Sequence, residues 1–167
     1  DRGVKLGADV PYCIMRGTAL AEGIGEKLTK LPAMPKCHIL IAKPPINVST
    51  KFVYENLHAN DLKPEDHPPV DVQIEALNEG NLEKLVANMG NVLERVTVPE
   101  YPVINEIKQL MVDHGALGSM MSGSGPTVFG IFTSYTKAKE AYEAIEKSGL
   151  SKQIYLTTPY NQKEDNT

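Results

Sequence analysis

Cysteine is scarce in this chain: 167 residues hold only Cys13 and Cys37, and no Cys-x-x-Cys pair occurs. That excludes a disulfide framework and a cysteine-based metal site. Both thiols sit among apolar neighbours and are expected to be free and buried. The four histidines, His38, His58, His67 and His114, show no i,i+4 pairing and no HExxH, so no metal site is predicted. No apolar run approaches the ~20 residues of a membrane span, and no signal sequence opens the chain. Positive charge is not in excess either. Lys and Arg total 17 against 21 Asp and Glu, a net charge of −4, which leaves no basic field to draw in nucleic acid or an anionic membrane. The one local concentration, Lys137 with Lys139, shares a helix with Glu140, Glu143 and Glu146 and reads as a solvated face. A cytoplasmic location is expected.

What is present is the composition of an ordinary soluble domain, 41% hydrophobic and 23% charged, with neither internal repeat nor low-complexity segment. Pro11 to Leu31 reads as a short apolar helix or turn followed by a hairpin whose turn is Gly23 to Gly25. His38 to Ala42 is a buried-type strand closed by Pro44-Pro45. Ser49 or Thr50 caps a helix carrying Phe52, Val53 and Leu57 on one side and Tyr54 on another. Residues 63–69 form a loop. Two helices are expected over 70–77 and 82–92, with Gly80 near a C-cap. Pro99 and Pro102 break the chain before a helix over 103–114, with Ile104, Ile107, Leu110 and Met111 at core spacing. Strands follow over 117–121 and 127–132. Thr136 caps a last amphipathic helix to Lys147, 153–156 makes an edge strand, and 161–167 is a polar tail expected to be disordered. This order favours an α+β fold, a largely antiparallel four-stranded sheet with helices on one face.

Two segments could carry chemistry. Leu117 to Phe132 reads LGSMMSGSGPTVFGIF. In its turn, Ser122-Gly123-Ser124-Gly125-Pro126, glycines alternating with serines let the backbone approach another object closely with amides and hydroxyls outward. Such a turn suits a phosphate, and also serves as a plain strand connection. Near the start, Asp9 sits between small residues and Val10-Pro11. It either caps a short helix or takes the proton of a substrate hydroxyl in phosphoryl transfer. Tyr54 and Tyr12 are the aromatics expected in a cleft, with Tyr54 able to stack on a flat ligand. Ser49 and Thr50 are helix caps whose amide-rich helix start also suits an anion or polar group. No GxxxxGK[ST] loop is present to hold a triphosphate, so the residues alone supply at most half of a phosphotransfer site.

The segments GADVPYCIMRGTALAEGIGEKLTKL, ILIAKPPINVSTKFVYENL and GALGSMMSGSGPTVFGIF, in this order, resemble the galactokinase–homoserine kinase–mevalonate kinase–phosphomevalonate kinase (GHMP) superfamily. Within it they resemble the 4-diphosphocytidyl-2-C-methyl-D-erythritol kinases, over about Leu6 to Leu156. The resemblance implies transfer of the ATP γ-phosphate, with Mg²⁺, to the 2-hydroxyl of the diphosphocytidyl-methylerythritol substrate, a step of the non-mevalonate route to isoprenoid precursors. It implies the ferredoxin-like C-terminal domain of GHMP kinases as the fold. Asp9 then matches the catalytic base, and Tyr54, with Thr50, the substrate-binding positions, the ring stacking on cytosine. Ser122, Gly123, Ser124 and Gly125 match the motif that supports the nucleotide loop and lines the transfer centre. No metal ligand is implied among these residues.

The family's lysine partner of the aspartate and its glycine-rich ATP loop, which precede GADVP, are not in this sequence. The chain also begins at Asp1 rather than Met. The expectation is a piece of a longer kinase: residues 1–35 a remnant of the N-terminal or linking region, 36–160 the C-terminal domain, the ATP and Mg²⁺ sites elsewhere, and the piece inactive by itself. Its first 35 residues, with Ile14 and Met15 exposed, are expected to favour self-association. The alternative is a stand-alone α+β ligand-binding or regulatory module without chemistry.

Overall fold

A computed structural model describes residues 10–23 and 25–160. Helix α1, Val10–Met15, leads into a separate two-stranded sheet, β1 (Ala19–Glu22) paired antiparallel with β2 (Lys27–Lys30). Strand β3, His38–Lys43, then enters the main sheet. Helix α2, Thr50–Asn56, and two 3-10 turns, Ala59–Asp61 and Pro64–Asp66, lead to α3 (Val70–Glu79), α4 (Leu82–Ala87), α5 (Glu94–Glu100) and α6 (Val103–Asp113). The chain closes with β4 (Gly118–Met121), β5 (Val128–Phe132), α7 (Tyr135–Ser148) and β6 (Gln153–Thr157). The main sheet has the order β4-β5-β3-β6, every pair antiparallel, as the alternation of strand and helix patterns predicts.

Period two along the strands sorts the core. Leu40, Ala42, Val128 and Phe132 point to one face, where Ile104, Ile107 and Met111 of α6 and Ala138, Ala141 and Ile145 of α7 meet them. The spacings i, i+3 and i+7 on each helix put those residues on one stripe. The other face is not bare. Ile131 and Cys37 pack there against Leu82 and Val86 of α4, with Ile39 and Phe129 alongside, so the helices are not confined to one side. Burial pushes the Cys37 thiol up from its ordinary value.

Several local expectations change. Cys13 is exposed, not buried, because α1 buries none of its residues; Ile14 on the same helix is exposed, while Met15 is half-buried. The helix expected over 82–92 ends at Ala87, where the Asn88 N–H bonds back to the Leu85 carbonyl, the Met89 N–H to the Val86 carbonyl, and the Asn88 side-chain amide to the Lys84 carbonyl. The prolines do not clear the stretch before α6. Pro99 lies inside α5, in its last turn, so its missing N–H forfeits a single bond and the seven-residue helix survives. Ser134, not Thr136, caps α7, accepting from the Lys137 N–H. Phe52 is exposed and Val53 is the buried residue of α2. Ser49 does cap α2 through the Phe52 N–H, and Gly80 closes α3 in the left-handed conformation, both as the sequence indicates.

Candidate functional site

Strand β3 sits inside the sheet, between β5 and β6. The chain leaves it through Pro44-Pro45 and starts α2 at Thr50, close to the turn that joins β4 to β5. There the Thr50 Oγ1 and Ser124 Oγ hydroxyls are 2.9 Å apart. Two residues 74 positions apart in sequence are thus joined directly, and both belong to the predicted site. Tyr54 is four residues beyond Thr50, hence on the same helical face and about 6 Å further along the axis. Its ring is 61% exposed and free to take a flat partner.

The turn itself is closed by two backbone bonds, Ser122 N–H to the Thr127 carbonyl at 2.8 Å and Gly125 N–H to the Ser122 carbonyl at 3.0 Å. Gly123 and Gly125 have φ of +55° and +88°, and the Gly125–Pro126 peptide is cis. Within the described residues no hydrogen bond engages the amides of Gly123 and Ser124. Two adjacent unengaged donors with hydroxyls beside them suit a phosphate oxygen.

Three side chains that sequence reasoning missed hold this turn. The Asn91 amide donates to the Met121 carbonyl at 2.9 Å and the Gly123 carbonyl at 2.8 Å. Glu94 accepts the Met121 N–H at 2.7 Å and pairs with Lys108 at 2.5 Å. Thr97, fully buried, donates its hydroxyl to the Ser124 carbonyl at 3.2 Å. Arg95, on another face of α5, pairs with Asp66 and holds that carboxyl below the usual carboxylate range. The available signal was the spacing Asn-x-x-Glu-x-x-Thr, which sets Glu94 and Thr97 one turn apart on α5 and Asn91 in the turn leading into it. It was masked by reading 82–92 as helix and Pro99 as a break.

Of the other candidates, Tyr12 is exposed, its hydroxyl donating to the Gly17 carbonyl. It lines a groove of about 1020 Å³ with Leu20, Met34, Ile74 and Phe129, between the β1–β2 hairpin and the outer sheet face. Thr50, Tyr54 and the turn do not line that groove, so it is separate from the hydroxyl pair. Asp9 lies outside the described residues. No cluster of three or more His, Cys, Asp or Glu able to hold a metal occurs among the described residues, and none of their helices is long and apolar enough to cross a membrane.

Gly125 tests the turn. A Cβ added there would lie 2.6 Å from the Met121 sulfur and 3.4 Å from the Thr97 methyl, and Met121 is fully buried. Left-handed backbone and overpacking together predict that Gly125→Ala costs about 2–4 kcal/mol. At Gly123 nothing lies within 4 Å, so Gly123→Ala should cost about 1–2 kcal/mol, from the backbone alone. Urea melts of both variants check the ranking, and equal losses would remove the close packing at Gly125 from the account.

The sheet order, the helices across it and the serine–glycine turn define a class. Residues 73–151 match the family model described as GHMP kinases C terminal, within an α+β fold. The particular relatives share one name. The chain is 57% identical over 158 residues to a 4-diphosphocytidyl-2-C-methyl-D-erythritol kinase of Lachnospira eligens, covering 95% of this chain and 54% of the relative. It is 49% identical to the kinase of that name from Lachnoclostridium phytofermentans, over 96% of this chain and 55% of the relative. Among solved structures, a 4-(cytidine 5'-diphospho)-2C-methyl-D-erythritol kinase superposes with a TM-score of 0.76 at 30% identity, over 95% of this chain and 56% of that one. A homoserine kinase from Cytophaga hutchinsonii, at 22% identity and a TM-score of 0.74 over 90% of this chain and 50% of that one, shares the fold. The chain spans about half the length of the curated relatives it matches.

Proposed function

We propose that the intact protein transfers the γ-phosphate of ATP to the 2-hydroxyl of 4-diphosphocytidyl-2-C-methyl-D-erythritol, a step toward isoprenoid precursors, and that this chain is its substrate-side part. The observation that carries the reading is the Thr50–Ser124 hydroxyl pair, which ties the helix bearing Tyr54 to a turn with two unengaged amides. In this reading Tyr54 stacks on the cytosine, Thr50 offers its hydroxyl to the substrate, and the Gly123 and Ser124 amides receive phosphate oxygens beside Ser122 and Gly125. Asp9 takes the proton from the attacking hydroxyl, which makes that oxygen the better nucleophile. The turn's two open amides fit a phosphate of ATP, and ATP supplies the group transferred. The described residues do not fit Mg²⁺, since they hold no carboxylate cluster for it, and no step here runs through the ion.

The same reading makes residues 1–35 a remnant of the N-terminal or linking region, and 36–160 the C-terminal domain. In support, β1 and β2 form their own sheet apart from the other four strands, and α1 buries nothing. A chain holding only the substrate side lacks the electrostatic stabilisation of the transferring phosphoryl group and is silent alone.

Phosphorylation of the cytidylyl substrate by the intact protein, measured as ADP release beside homoserine and mevalonate, tests the reading. Turnover of either competitor in preference to the cytidylyl compound overturns it. Tyr54→Ala should raise KM for the cytidylyl substrate about three- to tenfold, the worth of one aromatic stack, with kcat little changed. An unaltered KM would take the ring out of the site. A second reading, a ligand-binding module without chemistry, is favoured by the separate apolar groove. Calorimetric binding of a small metabolite by this chain, with no transfer in the intact protein, would select it.

A further inference from the structure

We propose that Asn91 and Thr97, with Glu94, are positioning residues that aim the Ser124 amide at the phosphate. The proposal rests on the kinase reading above. All three side chains bond backbone atoms of Met121, Gly123 and Ser124 and no side chain of the turn, so they fix peptide planes. In a planar trans peptide the C=O and the following N–H point in opposite directions. Asn91, by holding the Gly123 carbonyl toward itself, therefore directs the Ser124 N–H away from itself, and that amide is one of the two left open. Thr97 fixes the carbonyl at the other end of the same residue, and Thr50 fixes its hydroxyl. Ser124 is thus held at its preceding peptide plane, its carbonyl and its side chain.

The base of this arrangement is buried charge. Glu94 and Lys108 are each about four-fifths buried in their side chains and lie 2.5 Å apart. Glu94 spends its second oxygen on the Met121 N–H while Asn91 takes the Met121 carbonyl, so both polar groups of the last β4 residue are bound by one short segment. That registers the segment against the strand before the turn begins. An N–H pre-aimed at developing charge needs no reorganisation during transfer, which is where such donors have their effect.

Two substitutions separate aim from mere support. Asn91→Asp keeps the oxygen that accepts the Leu93 N–H but loses the donors to both carbonyls. Thr97→Val keeps the buried methyl and loses the donor, whereas Thr97→Ser keeps the donor and loses the methyl. In the intact protein, Asn91→Asp and Thr97→Val should each lower kcat about 10- to 100-fold, the scale of a small misplacement. KM for the cytidylyl substrate should stay within about threefold, and Thr97→Ser should recover most of the rate. A purely structural Thr97 gives the reverse order, with Val tolerated and Ser impaired through the lost methyl burial. Nuclear magnetic resonance of the same proteins gives a readout that needs no turnover: the Ser124 amide resonance should shift in both impaired variants, with those of α6 and α7 unmoved. Wild-type kcat in Asn91→Asp, the reversed order at position 97, or an unmoved Ser124 amide each overturns the proposal. A wild-type protein with no phosphoryl transfer overturns the kinase reading instead, and the amide measurement then still decides whether these side chains hold the turn.

Discussion

Asp9→Asn in the intact protein is expected to lower kcat by about 10²- to 10⁴-fold, the contribution of a positioned general base, while KM for the cytidylyl substrate changes little. The substitution is nearly isosteric and removes only the basic, charged oxygen. It also answers the competing use of this residue. Asp9 directly precedes α1, and asparagine caps a helix about as well as aspartate does. A residue that only capped α1 would leave both stability and turnover unchanged. The measurement is steady-state phosphorylation of the cytidylyl substrate, with a thermal melt of the same preparation. Turnover within twofold of wild type would remove Asp9 from the chemistry and leave the serine–glycine turn as the sole mark of a transfer site.

Phe132→Ala should lower unfolding free energy by about 3–5 kcal/mol, the usual cost of emptying a phenylalanine site. Phe132 is fully buried and belongs to the cluster joining β3, β5, α6 and α7. It pairs with His38 across the strands, so its neighbours are fixed by backbone register and have little freedom to fill the hole. For a domain whose total stability is about 5–15 kcal/mol, the loss is a large fraction. In urea the midpoint should fall by about 2 M at an unchanged slope. A loss under about 1 kcal/mol would mean that the sheet and the two helices collapse onto the space, contrary to the fixed register.

Much of this was readable in the residues because it is local. Leu40 and Ala42 in β3, and Ile104, Ile107 and Met111 in α6, carry the periods of two and 3.6 that place a strand and a helix. Ser49 and Gly80 announce the ends of α2 and α3. Four strands with helices packed on the sheet, and the serine–glycine turn between β4 and β5, followed from such signals. What local pattern could not supply was contact across distance. Asn91, Glu94 and Thr97 look like ordinary polar helix positions, and their partners lie 27 to 32 residues away. Pro99 argued against the helix that presents Glu94 and Thr97, since a rule about helix interiors does not say how near the end a proline may fall. Phe52 and Cys13 went astray in the same way: composition marks them as apolar, but burial depends on what packs over a seven- or six-residue helix.

The position of β3 between two neighbours has one more consequence. Tyr54 and Thr50 follow the inner strand by a short proline tether, while β6 and the separate β1–β2 hairpin lie away from them at the margins. Heating or mutating those margins should loosen the periphery well before it disturbs the spacing between ring and serine.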